Sequence, residues 1–309
     1  MTLFQILAWA LPAVIGLATL EALVLTFVFK RPYNWRSWAA SVTDALARDY
    51  VVGAIVTIGF VGPLIGLAWA HRVATVPLGS LASIAVLFVG QEFSYYWYHR
   101  AAHRVRWFWA THAVHHSPSE FNLGIAYRFG VTGKIAGNSL FYVPMIWLGF
   151  APSAVFATLS LNLLYQFWLH CEWIPKLGWF EYVLNTPSHH RVHHASNSDY
   201  IDKNYGGVLI LFDRLFGTFA EERADLPCRY GLTVPLVSNN PLKIAFHEWL
   251  KMANDLYAAR SLRDVLLHLF GPPGWRPAAA GGTLRALSFE GSVNEESDHR
   301  DQPLRRVGA

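Results

Sequence analysis

The stretch Leu78–His103, LGSLASIAVLFVGQEFSYYWYHRAAH, decides the reading of this chain. It starts as an apolar run, admits Gln91 and Glu92, turns aromatic, and closes on His99 and His103. Positions four apart share one face of a helix. A single helix of this sequence therefore joins an apolar segment to a pair of imidazoles at its end. Arg100, Arg104 and Arg106 surround that end, and basic flanks mark the cytoplasmic end of a membrane span.

Working outward, Leu3–Phe29 is apolar apart from Glu21 and is followed by Lys30, Arg31 and Arg36, which reads as a retained span. Val51–Ala70 carries no charge. Ile135–Phe150 and Ser153–Leu169 are short apolar segments separated by Gly149-Phe-Ala-Pro152, the pattern of a helical hairpin that leaves and re-enters the cytoplasmic side. Gly137-Asn-Ser139 and Ser160-Leu-Asn162 place polar groups inside it for helix–helix hydrogen bonds. Lys243–Phe270 reads as two amphipathic helical stretches interrupted around Ala258–Ser261, and residues 276–309 have the composition of a disordered tail.

Composition agrees. Charged residues make up 15% of the 309 residues against about 25% in a soluble domain, while 53% are hydrophobic and the mean hydropathy is +0.25. A chain so short of charge is expected to be solvated in part by lipid. Cys171 and Cys228 cannot form a disulfide framework. The net charge of +4 is small and flanks apolar segments, so nucleic acid is excluded as a partner.

Ten of the fourteen histidines lie between His99 and His194. They fall mostly in His99-Arg-Ala-Ala-His103, His112-Ala-Val-His-His116 and His189-His-Arg-Val-His-His194. The H-x-x-H-H spacing, expected by chance roughly 0.03 times at this histidine content, occurs twice. Each cluster aligns imidazoles on one helical face, as metal coordination requires. Eight or more imidazoles exceed the needs of one ion and suit two ions close together. Imidazole accepts iron, copper, nickel or zinc; no H-E-x-x-H helix is present. His170, at the end of the returning apolar segment, joins the ligand candidates, and His189 is a further, weaker one. Glu92, Glu120, Gln166, Glu172 and Asp202, with Asp199, are the groups that could orient the imidazoles. His71, His247, His268 and His299 stand alone and receive no role.

These segments, together with Asn162-Leu-Leu-Tyr-Gln-Phe-Trp-Leu-His170, Asp202-Lys-Asn-Tyr-Gly-Gly207 and Asp213-Arg-Leu-Phe-Gly-Thr218, resemble the fatty acid hydroxylase and sterol desaturase superfamily over roughly residues 85–235, most closely its alkylglycerol monooxygenase branch. The resemblance implies a non-haem di-iron centre held by His99, His103, His112, His115, His116, His190, His193 and His194, dioxygen as co-substrate and a lipid chain as substrate. Where some members carry an additional histidine pair, this chain has Gln166 and His170. It implies hydroxylation or, on the same scaffold, desaturation. No G-x-G-x-x-G or iron–sulfur cysteine set is present, so electrons come from a separate reductase, a ferredoxin-like or cytochrome-like carrier, or a pterin such as tetrahydrobiopterin. A membrane metal-binding or transport protein is the rival class; its ligands would run through the spans near the midplane rather than past the helix ends.

The expected architecture is all-α: an integral, multi-pass membrane bundle of about three spans plus a helical hairpin, with a histidine-box metal cap on the cytoplasmic side. Residues 1–77 form N-terminal transmembrane helices, 78–235 the di-iron domain, 236–275 a C-terminal helical segment and 276–309 the tail.

Overall fold

A computed structural model describes residues 9–52, 55 and 61–277. Its elements in chain order are α1 (Ala10–Val28), α2 (Trp35–Leu46), α3 (Gly62–Ala70), α4 (Leu81–Arg104), α5 (Arg106–His116), α6 (Val143–Leu148), α7 (Pro152–Leu169), α8 (Pro187–His194), α9 (Leu211–Phe216), α10 (Pro241–Tyr257) and α11 (Leu262–Phe270). Among the described residues the only β pairing is two isolated bridges, Leu184 with Leu209 and Ala195 with Tyr230. One described helix, α1, is long and apolar enough to cross a membrane. Part of the expected Val51–Ala70 span and all but two residues of the expected tail lie outside the described residues.

The central element is α4. Ser80 caps it, accepting from the Ser83 backbone N–H while the Ser83 hydroxyl meets the Ser80 backbone, which fixes its start. At about 1.5 Å per residue its 24 residues carry the chain from an apolar end to His99 and His103. The helix ends where Val105 turns extended, and α5 returns with His112, His115 and His116.

The first arm of the apolar hairpin is only partly α-helical. It contains the 3-10 turn Asn138–Tyr142 and only six residues of α-helix. Gly137 sits at φ +89° before that turn, and Pro144 supplies no N–H to a longer helix. The second arm, α7, opens with Pro152 at a position where a missing N–H costs nothing and runs 18 residues to His170. The polar groups inside the hairpin do bridge helices: Asn162 donates to Glu92, and Asn138 Nδ2 donates to the Tyr98 hydroxyl at 2.9 Å. Leu87, Tyr142, Met145, Ile146, Phe150 and Val155 close the core between them.

The two C-terminal helical stretches occur as expected, broken between Tyr257 and Leu262. They pack along α5 through one buried cation. Arg106 donates to Asp255, lies 3.1 Å from His268 Nδ1, and gives its backbone N–H to Gly271 O at 3.0 Å. The helix that carries three histidines is thereby held from behind.

Gly149 links the hairpin to the chain before α4. Its φ is +117°, and Val76 N and Val73 N donate to Gly149 O and Trp147 O at 2.9 and 2.8 Å. A Cβ there would stand 2.3 Å from Ala74 O, a backbone atom that cannot rotate away. Gly149→Ala is expected to cost about 2 kcal/mol or more. Gly178→Ala, also at positive φ but with no atom within 4 Å, is expected to cost less; thermal unfolding of both variants checks the order.

Candidate metal centre

Four helix ends converge. α4 supplies His99 and His103; α5 supplies His112, His115 and His116; the end of α7 supplies His170; and α8 supplies His190, His193 and His194. All nine are at least nine-tenths buried. They separate into two groups that could each hold a metal ion: His99, His103, His112, His116 and His193 in one, and His115, His170, His190 and His194 in the other, with ligand atoms in each group within 4.8 Å of one another.

The nitrogens face each other. His112 Nε2 lies 3.1 Å from His99 Nε2 and 3.2 Å from His116 Nε2. In the second group His190 Nε2 lies 3.0 Å from His170 Nε2 and 3.1 Å from His194 Nε2, and His170 Nε2 is 3.4 Å from His115 Nε2. The buried His103 Nε2 and His193 Nε2 have no hydrogen-bond partner.

The other ring nitrogen is held by backbone. His99 Nδ1 meets Tyr205 O at 2.9 Å, His193 Nδ1 meets Lys203 O at 2.9 Å, His115 Nδ1 meets Arg128 O at 3.1 Å and His170 Nδ1 meets Gln166 O at 3.0 Å. A carbonyl only accepts, so Nδ1 carries the proton and Nε2 turns a lone pair inward. His115 and His170 therefore turn two lone pairs toward each other at 3.4 Å, an arrangement that suits a bound cation and is unfavourable for the imidazoles alone.

The carbonyls come from loops folded by buried acids. Asp213, fully buried, accepts from Tyr205 N at 2.8 Å, Gly206 N at 2.7 Å and the Thr218 hydroxyl at 2.6 Å, and so shapes the turn that presents Lys203 O and Tyr205 O. Burial pushes its carboxyl up to about 6. Glu92 accepts from Val208 N and Leu209 N at 2.8 and 2.9 Å, tying the same loop to α4. Glu181 receives Leu177 N, the Thr186 hydroxyl and the Ser188 hydroxyl at 3.0, 2.9 and 2.8 Å, placing a carboxylate at the start of α8.

Of the expected orienting groups, Asp202 lies 3.8 Å from His103 Nδ1 and pairs with Arg104 at 2.7 Å. Gln166 contributes its carbonyl to His170, while its side chain joins Asn162 to Tyr95. Glu92 acts through the loop rather than on an imidazole. Glu120 and Glu172 are corrections: Glu120 bonds its neighbour Ser119, and Glu172 is exposed on the surface. Asp199 pairs with Arg223. His189 is a correction too. It belongs to neither group: although one turn from His193, it is rotated about 100° from His190 and farther from His194 on the helical wheel, its Nε2 is 3.9 Å from Glu181, and its ring packs on Phe219. Asp213, Glu181 and the carbonyls of Arg128, Lys203 and Tyr205 escaped sequence reasoning. Backbone acceptors have no residue signature, but Asp213 lies in one of the segments that carried the resemblance.

Aromatic rings exclude water around the imidazoles. Trp109 packs on His103 at 5.4 Å, Tyr95 on His99 at 5.4 Å, Phe129 on His115 at 5.4 Å, and Phe121 stacks on His170 at 5.6 Å with Tyr230 behind it. Outside the centre an open apolar groove of about 980 Å³ runs along α4, lined among others by Val86, Phe93, Trp97, Phe141 and Met145. On a 100° wheel these α4 residues lie opposite His99 and His103, so the helix itself stands between groove and imidazoles.

Residues 84–218 match the model of the fatty acid hydroxylase family, so the chain carries a domain of that family. It is similar to human alkylglycerol monooxygenase, with 43% identity over 67% of this chain and 46% of the relative. It is also similar to the Danio rerio alkylglycerol monooxygenase, with 42% identity over 62% and 42%. A bacterial relative, the ornithine lipid hydroxylase OlsE of Rhizobium tropici, is 33% identical over 41% of this chain and 39% of its own length. The chain thus spans less than half the length of these curated relatives. No solved structure matches it. These relatives are named as alkylglycerol monooxygenases and an ornithine lipid hydroxylase.

Burial and neighbouring histidines push the imidazoles of His112, His116, His190 and His194 well below the usual histidine range, and burial brings His193 to about 4. The unfolded chain then binds more protons than the folded one below an ordinary histidine pKa of about 6.5. Stability accordingly falls as pH drops from there towards about 4. The metal-free protein is expected to lose melting temperature steeply over that window. A flat profile would contradict the burial of neutral imidazoles.

Proposed function

We propose that this protein is an integral, multi-pass membrane di-iron oxygenase that hydroxylates a C–H bond of a lipid, with its histidine centre on the cytoplasmic side. The observation that carries the reading is the pair of adjacent all-imidazole groups, five and four strong, with two imidazoles in each held by a backbone carbonyl on Nδ1. The similarity to alkylglycerol monooxygenases and to an ornithine lipid hydroxylase supports a lipid substrate.

His99, His103, His112, His116 and His193 would hold one iron, and His115, His170, His190 and His194 the other. When bound, the irons supply reductive activation of dioxygen: one oxygen atom enters the C–H bond, and the other leaves as water with two electrons from an external donor and two protons. The protein's own work is positional. Asp213 and Glu92 hold the loop whose carbonyls keep two imidazoles aimed. Trp109, Phe121 and Tyr95 keep bulk water from the oxidising site. The donor is a separate reductase, a small electron carrier or a pterin such as tetrahydrobiopterin.

The test is product analysis with lipid extracts and purified, iron-loaded protein. A gain of one oxygen per product molecule is expected, and a loss of two hydrogens would replace hydroxylase by desaturase. His190→Ala is expected to abolish turnover, while His189→Ala retains most of it because its ring faces Glu181. Equal loss in the two variants would contradict the ligand assignment.

A further inference from the structure

The two histidine groups are supported in different ways. In the five-histidine group His99 and His193 each give Nδ1 to a carbonyl of the loop that Asp213 folds. In the four-histidine group His115 and His170 have such a carbonyl, but the buried His190 Nδ1 has no hydrogen-bond partner among the described residues. A metal-bound imidazole normally has its second nitrogen held. His190 is therefore placed by where α8 lies, and α8 must be fixed against the end of α7, which carries His170.

Arg191 supplies that fixation. It follows His190 directly and is 6% exposed. At about 100° per residue, His190 and His194 lie close together on the wheel of α8, with His193 on one flank and Arg191 on the other. His193 turns to the five-histidine group, whereas Arg191 turns to the chain that leaves α7. Its Nη1 donates to Cys171 O at 3.2 Å and to Ile174 O at 2.8 Å. Both carbonyls lie just past the end of α7, where the helical ladder no longer supplies N–H donors. One guanidinium thus joins the residue after His190 to the residue after His170. The Nε2 atoms of those two histidines face each other at 3.0 Å.

Glu222 holds the other edge of the guanidinium. Nε donates to Oε1 and Nη2 to Oε2, both at 2.7 Å. A bidentate pair sets the plane of the guanidinium as well as its position. It also cancels a charge: four neutral imidazoles bring no negative charge to a cation, and an unpaired guanidinium beside them would repel it. Lysine, with a single nitrogen, cannot span the two carbonyls and both carboxylate oxygens.

We propose that Arg191, locked by Glu222, is the positioning residue of the four-histidine metal site, and that the five-histidine site does not depend on it. The proposal rests on the two-metal reading above and adds that each ion has its own support, so that one can be weakened without the other.

The test is iron(II) binding to the full-length protein in detergent without oxygen, read by competition with a chelator. His99→Ala with His112→Ala leaves the four-histidine site, and His170→Ala with His190→Ala leaves the five-histidine site. In the first background Arg191→Lys is expected to weaken iron(II) binding about 10- to 100-fold, the range for losing a group that orients metal ligands. In the second background the affinity is expected to stay unchanged. Glu222→Gln, which keeps the size of the side chain, is expected to give the same selective loss and carries the test if Arg191→Lys fails to fold. Equal weakening of both sites, the result of a general loss of packing, overturns the proposal, and so does weakening of neither. A wild type that binds a single iron overturns the two-iron reading, and the four-histidine background then decides the clamp alone. Binding there that Arg191→Lys weakens supports the clamp; unchanged or absent binding overturns it.

Discussion

Everything else in this protein follows from one arrangement: imidazole nitrogens brought face to face at 3.0–3.4 Å in a dry interior. Such contacts do not hold themselves together. On His115, His170, His193 and His99 the proton is fixed at the far nitrogen by the carbonyls of Arg128, Gln166, Lys203 and Tyr205. The free energy that metal binding supplies is thus prepared by backbone geometry far from the metal's reach.

That dependence explains where the fold places its buried acids. Asp213, Glu92 and Glu181 touch none of the nine imidazoles of the centre, yet all three are spent on backbone N–H groups, hydroxyls or, for Glu92, the Asn162 amide as well, and so shape the supporting loops. Gly206 and Gly207 belong to the same construction. A Cβ at Gly206 would stand 2.2 Å from Leu209 O, and one at Gly207 would stand 2.2 Å from the Asn162 amide that is bonded to Glu92. From the opposite side, Arg106 anchors α5 to the C-terminal helices through Asp255 and Gly271.

The histidine spacing was legible because helical periodicity converts directly into a shared face; it identified the two H-x-x-H-H helices and the pair on α4, and proximity to the hairpin's end identified His170. The same spacing puts His189 one turn from His193, which made it look eligible, but its ring turns to Glu181 and Phe219 instead. The orienting acids were less legible. Glu120 and Glu172 are near the histidines in sequence but bond to none of them, whereas Asp213, nineteen positions past His194, reaches the centre through a turn that only the fold creates. The hairpin's first arm was misread because apolar composition hides what Gly137 and Pro144 do to a helix. Among the described residues one helix meets the length and hydropathy of a span, since α4 interrupts its apolar run with the polar groups that serve the site.

The central claim is that the nine imidazoles form two adjacent iron sites and nothing but nitrogen from this chain ligates them. Iron analysis combined with iron K-edge X-ray absorption on the purified protein tests it most directly. The account predicts two irons per chain, imidazole nitrogen as the only protein donor and an iron neighbour at about 3.5–4 Å or somewhat beyond. A single iron per chain, or carboxylate ligation in place of imidazole, would contradict it.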